Sequence, residues 1–333
     1  MTRTRKAIFL SMLAAGALAL LLSGVFALLP PGEPETIVLD NGSLSIHVVD
    51  PDSGYYRGSR FESAGFILKL ICSGHNWFGR NYGEKRNPEW HDHVCGNAED
   101  FKFPVIIPET AQFLKIGNGI YQGFKGEKYF MFKKYACLKR FEWTLQREPL
   151  ALTFRQNIPE WNGYAYDYTK RIRLDEKRPV LYLEYTLKNT GSKTIDNLQY
   201  AHNFIALDGQ LPDGTVVEWP FPAKFTPGIR TPVPPYQVDG NRLIMKEKRQ
   251  FFGQAEIEPC SRLRVGIHFP KGNSLFIQDT GPVAGAAYFC NTNYVCPEIF
   301  TRIFLRPGES MTWSRSYEPG TNGKLSCIGD GAK

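Results

Sequence analysis

Two ionisable residues stand out by their type and their neighbours. His202 lies in Tyr200-Ala201-His202-Asn203-Phe204, directly after an alternating strand and turn over residues 181–198. A histidine at a strand end among aromatics is placed to act as a desolvated general acid. The plainer reading of the same residues is a core histidine bonded to a backbone carbonyl. Glu298 lies in Tyr294-Val295-Cys296-Pro297-Glu298-Ile299-Phe300, one acid among apolar groups just before a strand. Burial there disfavours the charged form and makes the carboxylate a better base. Its plainer role is an ion pair with an arginine such as Arg302.

A second cluster is Trp90-His91-Asp92-His93, in a loop that also holds Glu89, Glu99 and Asp100. Histidines at this spacing with acids nearby could ligate a metal, but no compact second motif follows. A hydrogen-bonding cluster facing sugar hydroxyls fits the residues better, and no metal or organic cofactor is expected. Of the other histidines, His47 and His268 read as structural or solvated, and His75, in a Ser-Gly-His-Asn turn, as exposed. Trp77, Trp90, Trp161 and Trp219 lie among Gly, Asn, Pro or charged residues, where a flat ring could face the C–H side of a sugar.

The elements that must position these groups are strands. Leu44, Ile46 and Val48 alternate with polar residues; so do Tyr164, Tyr166 and Tyr168, with Ile172 and Leu174 on the same face. Leu181, Leu183, Tyr185 and Leu187 form another face, closed by Asn189-Thr190-Gly191-Ser192, and Trp313, Arg315 and Tyr317 a last one. Helical periodicity is nearly absent after Gly32. Many short period-two segments, with 31 glycines and 23 prolines, predict an all-β fold, a large antiparallel β-sandwich.

The first residues belong to something else. Arg3, Arg5 and Lys6 precede an uncharged run, Ala7 to Leu29, broken by Pro30-Pro31-Gly32. A basic flank before an apolar stretch is an export signal, and this run is also long enough to anchor in a bilayer. Residues 1–31 are therefore expected to be a signal peptide or N-terminal membrane anchor. Residues 32–333 are expected to be a single domain, periplasmic or extracellular, which residues 7–29 could associate with the membrane. The net charge of +7 is interspersed rather than clustered, which argues against nucleic acid as a partner. Seven cysteines contain no C-x-x-C pair. Outside the cytoplasm up to three disulfides could form, Cys290 with Cys296 being the nearest local pair, and buried free thiols are an equal alternative. Oligomeric state is not specified.

Several stretches, in order along nearly the whole chain, resemble the galactose mutarotase (aldose 1-epimerase) superfamily. These are Tyr55 to Phe61 with Ser63-Ala64-Gly65, the His91-Asp92-His93 loop running to Glu99-Asp100-Phe101, and Phe113 to Gly119. Leu183 to Asp208 resembles the strand-turn-strand leading to the family's catalytic histidine. Glu298 to Tyr317, with its turn Arg306-Pro307-Gly308-Glu309, resembles the catalytic glutamate and closing strand. The resemblance implies a galactose mutarotase-like supersandwich that interconverts sugar anomers. Glu298 would take the proton of the anomeric hydroxyl while His202 protonates the ring oxygen. Arg60, His91, Asp92, His93 and Asp208 would hold hydroxyls of a sugar or glycan substrate.

The chain departs from the family's pattern in Asn203-Phe204 after the histidine and Ile299-Phe300 after the glutamate, and galactose itself is not implied. The same fold could instead carry a glycan hydrolase or lyase, with Asp92, Asp208 or Asp213 as the second carboxylate, or a carbohydrate-binding protein without turnover.

Overall fold

Alternation on a period of two becomes strand where the sequence shows it. Leu181–Asn189 buries Leu181, Leu183, Tyr185 and Leu187 and turns the residues between them outward. Tyr164–Leu174 pairs antiparallel on one side of it and Ser310–Gly320 on the other. The computed structural model describes residues 34–83 and 85–320. The expected export segment, its run Ala7 to Leu29 and Cys327 lie outside these. No helix among the described residues is long and apolar enough to cross a membrane.

Nineteen described strands join in one hydrogen-bonded network, and four form a separate small sheet from Val105–Ile107 to Ala136–Arg140. The result is the large antiparallel sandwich expected. Its core is filled by rows such as Ile46, Leu70, Phe154, Ile172, Leu183 and Ile277, each buried.

The long strand Ser274–Cys290 carries the chain from one region of the network to another. Its first half pairs with Cys260–His268 and Ser310–Gly320, its second with Phe251–Ala255 and Val295–Leu305. The exchange happens around Gly281, whose φ of +145° is open to glycine and little else. A Cβ there would stand 2.9 Å from Cβ of Trp313.

Several expectations change in three dimensions. Glu99 and Asp100 are not in a loop but in Asn97–Phe101, a strand buried at every position. Lys170 Nζ stands 2.6 Å from Glu99 and 2.7 Å from Glu62, and Lys115 Nζ 2.5 Å from Asp100. Those lysines make the buried acids tolerable, since a buried charge without a partner is costly. Trp77 and Trp219 are core residues, and Trp161 packs against the core. Trp77 and Trp219 are almost fully buried despite their polar sequence neighbours.

Cys290 and Cys296 are buried free thiols. Cys290 pairs with Val295 across the hairpin and Cys296 with Phe289, so the two side chains leave the ribbon on opposite faces. They accordingly belong to different apolar clusters.

Candidate functional site

Ile195–Asn203 begins as a partner of Val295–Leu305, the ladder running to Gln199 opposite Thr301. It then pairs on its other edge with Asn97–Phe101, while an isolated bridge joins Ile205 to Val295. Across the stretch where the direct ladder lapses, His202 and Glu298 face each other. Because strand side chains alternate, Tyr200, His202 and Phe204 share one face, and Tyr294, Glu298 and Phe300 share the adjoining one. All six line a cavity of about 620 Å³.

His202 Nδ1 lies 2.8 Å from Glu298 Oε1, both residues being buried. On the far side of the imidazole, Arg60 Nη2 is 2.8 Å from Nε2. A guanidinium has only N–H groups to offer, so Nε2 must accept. The ring proton is therefore on Nδ1 and is donated to Glu298. The ring also meets Phe61 edge-on, with centroids 5.1 Å apart, and Tyr200 at 5.1 Å.

Arg60 is in turn held by its own surroundings. Its backbone N–H donates to Tyr56 Oη at 3.2 Å, and its Nε lies 3.8 Å from Asp100 Oδ2. Burial opposes its charge, but Tyr200, Asp100 and Glu298 more than offset this and hold the guanidinium above its ordinary value. Tyr200 donates to Asp100 at 3.0 Å, and burial together with Asp100 keeps that phenol protonated well beyond its usual range.

Cys296 is buried against the pair. Its Sγ is 3.9 Å from His202 Nδ1 and 3.8 Å from Glu298 Oε1. His202, Cys296 and Glu298 thus bring three potential metal ligands together. The tautomer imposed by Arg60 argues against that use. With its proton on Nδ1 the imidazole has no lone pair there for a metal, and its Nε2 faces a cation instead of the usual hydrogen-bond acceptor.

The other expected residues are divided by the fold. Asp92 lines the cavity. Burial would raise its carboxyl, but His91, 3.3 Å away, and Arg60 bring it below the usual value. His91 packs edge-on against Phe132, at 4.6 Å, and borders a neighbouring groove with Arg57 and Lys134. His93 accepts the Asn87 N–H at 3.0 Å and lies beside Tyr82. Trp90 is half exposed and leans on both histidines rather than facing the cavity. Asp208, in a left-handed conformation, is bound by His75 Nδ1 at 2.7 Å and the Asn76 N–H at 2.9 Å, outside the cavity lining. His75, expected to be exposed in a turn, is partly buried in the short strand His75–Asn76 and hydrogen-bonded to Asp208. Arg302 pairs with Asp196, not with Glu298.

Tyr200, Phe204, Phe300 and Cys296 escaped the sequence reading, although their period-two spacing from His202 and Glu298 was there to find. Phe132 and the turn Gly228 to Thr231, also at the cavity, had no such signal. They arrive from distant parts of the chain. A larger depression, about 750 Å³, lies along Glu148 to Ala151 and Arg171 to Lys177. Within it Arg171 pairs with Glu148 at 3.0 Å, and Arg173 pairs with Glu184 at 2.7 Å.

No protein-family model and no curated protein sequence matches the chain. Solved structures do. A putative aldose 1-epimerase from Escherichia coli K12 is similar with a TM-score of 0.57 at 15% identity, over 86% of this chain and 99% of that one. The aldose epimerase homologue from C. elegans gives 0.55 at 13% identity, over 86% and 98%. A galactose mutarotase-like protein from Clostridium acetobutylicum gives 0.53 at 13%, over 86% and 95%. Nearly the whole length of these three proteins is overlaid by this chain, and the chain has the galactose mutarotase-like β-sandwich fold.

Proposed function

We propose that this protein is an extracytoplasmic aldose 1-epimerase, interconverting the anomers of a reducing sugar by acid–base catalysis at Glu298 and His202. The observation that carries the reading is the 2.8 Å Nδ1–H to Oε1 contact at the floor of the cavity. It places a proton and a basic lone pair side by side, as a hemiacetal requires. A sugar presenting its ring oxygen and anomeric hydroxyl exchanges this one hydrogen bond for two. The ring oxygen accepts from Nδ1, and the hydroxyl donates to Glu298.

The reaction then balances without any other group. Glu298 takes the hydroxyl proton, and the O–H pair becomes the second bond of the C1 carbonyl. The C1–ring-oxygen bond breaks with its pair going to oxygen, which takes the Nδ1 proton. Arg60 on Nε2 faces the negative charge that develops on the imidazole. Rotation about C1–C2 and reclosure give the other anomer, and the protons return. General acid–base groups so placed contribute roughly 10²–10⁴-fold each.

The fold supports a sugar ligand, and the sequence of residues 1–31 supports export. The rival use, glycan cleavage, needs a second carboxylate across the bond. Asp208 is tied to His75, and Asp213 to Lys248 at 3.1 Å, whereas Asp92 shares the cavity with Glu298. Anomer exchange by NMR across a panel of sugars separates these readings. Wild-type exchange above the buffer rate that falls by at least about 10² in Glu298→Gln supports the epimerase. Release of a shorter glycan without exchange overturns it.

A further inference from the structure

The cavity carries more than His202 and Glu298. Lys102 and Arg230 both line it. Among the described residues neither has a carboxylate within ion-pair distance, whereas Arg60 is engaged by Asp100 and His202. Lys102 Nζ lies 4.7 Å from the centroid of Phe300, the ring next to Glu298 on the cavity face. Phe300 packs in one apolar cluster with Tyr200 and Phe252.

Arg230 reaches the same wall from a turn pinned to it. Gly228 N donates to the Phe252 carbonyl at 2.9 Å, and Thr231 Oγ1 donates to that carbonyl at 3.2 Å. The Phe252 N–H donates in return to Thr231 Oγ1 at 3.0 Å. These bonds hold the backbone on either side of Arg230 at the cavity. Two cations with no carboxylate partner among the described residues, in the cavity that holds the acid–base pair, favour a negatively charged ligand.

We propose that the substrate is an anionic sugar, its carboxylate or phosphate held by Lys102 and Arg230 at the Phe252–Phe300 wall. This rests on the epimerase reading for what happens at C1 but not for what the wall binds. A neutral sugar gives neither cation a partner, Lys102 being half-buried and Arg230 exposed at the cavity's edge. An anionic one forms charge-assisted hydrogen bonds with them, each worth roughly tenfold or more in affinity.

The test is calorimetric titration of the full-length chain with glucose and galactose, with glucuronate and galacturonate, and with the two hexose 6-phosphates. Anomer exchange is recorded on the same samples. The expected result is that one anionic class binds at least about tenfold more tightly than its neutral parent, the advantage shrinking as salt rises. The uronate and phosphate arms tell which anion it is. In Lys102→Met and Arg230→Met the ratio of anionic to neutral affinity falls, and in the double variant it approaches one. Lys102→Gln and a circular dichroism spectrum guard against a folding defect. Neutral sugars bound as tightly as anionic ones, a preference that survives the double variant, or binding of none of the six overturns the proposal. Anionic preference without exchange would sustain it and remove the epimerase reading; exchange without preference would do the reverse.

Discussion

At the scale of single residues the site is set by which atom carries a proton. His202 and Glu298 were visible in the sequence as an isolated histidine and acid among aromatics. What they do together depends on Arg60, more than a hundred positions earlier, whose contact with Nε2 assigns the tautomer. This makes Arg60 a positioning residue with its own signature. In Arg60→Met, ¹⁵N NMR of the imidazole should show the Nδ1–H form giving way to a mixture with Nε2–H. Anomer exchange should fall on the order of 10²-fold in kcat, more than any change in KM, as for loss of a preorganised donor. An unchanged tautomer in the variant would show that Glu298 alone orients the ring.

At the scale of elements, the strands read from alternation are present, and the misreading of Asn97–Phe101 has a simple cause. Both faces of that strand are buried, so it shows no alternation, and its Asn-Ala-Glu-Asp-Phe composition resembles a loop. Its acids are stable only because Lys115 and Lys170 come from other strands. The change of partners along Ser274–Cys290 could not be read from that strand either, since it depends on which strand each half meets. Gly281→Ala tests it. The positive φ and the 2.9 Å approach to Trp313 should together cost about 1–3 kcal/mol in urea unfolding. A neutral result would mean that the strand relaxes there without loss.

The whole molecule is organised around charges buried inside the sandwich. Lys170 joins Glu62 and Glu99, while Arg315 Nη2 meets Asp279 at 2.5 Å. Removing one cation leaves two facing carboxylates without water. Lys170→Met should therefore destabilise the protein by about 3–5 kcal/mol in denaturant titration, and a loss under about 1 kcal/mol would contradict the assigned pairing.

The same cluster makes stability depend on pH. Burial raises the Glu62 carboxyl to about 7 against the opposing pull of Lys170, with Glu99 adding to the rise. The folded state then binds a proton that the unfolded chain has released, so this contribution weakens as pH climbs from about 4.5 to about 7. Relative to Glu62→Gln, the wild type should lose stability across that window and level off above it. Denaturation midpoints measured at pH 5 and pH 8 check the sign.

By itself the sequence determined the strand class, the antiparallel sandwich, the departure from helical periodicity, and two residues whose type and setting suited acid–base work. Those properties are local, since a period of two and a polar residue in apolar company can be read within a dozen positions. Only the tertiary structure decided which groups meet. It joined Arg60 to His202 and took Asp208 away to His75. It turned Trp77 and Trp219 into core, put Cys290 and Cys296 on opposite faces of a hairpin, and brought Lys102 and Arg230 to one wall. The physical reason is that contacts between strands depend on register and on the choice of partner strand. These follow from burying the whole apolar surface at once rather than from any one segment.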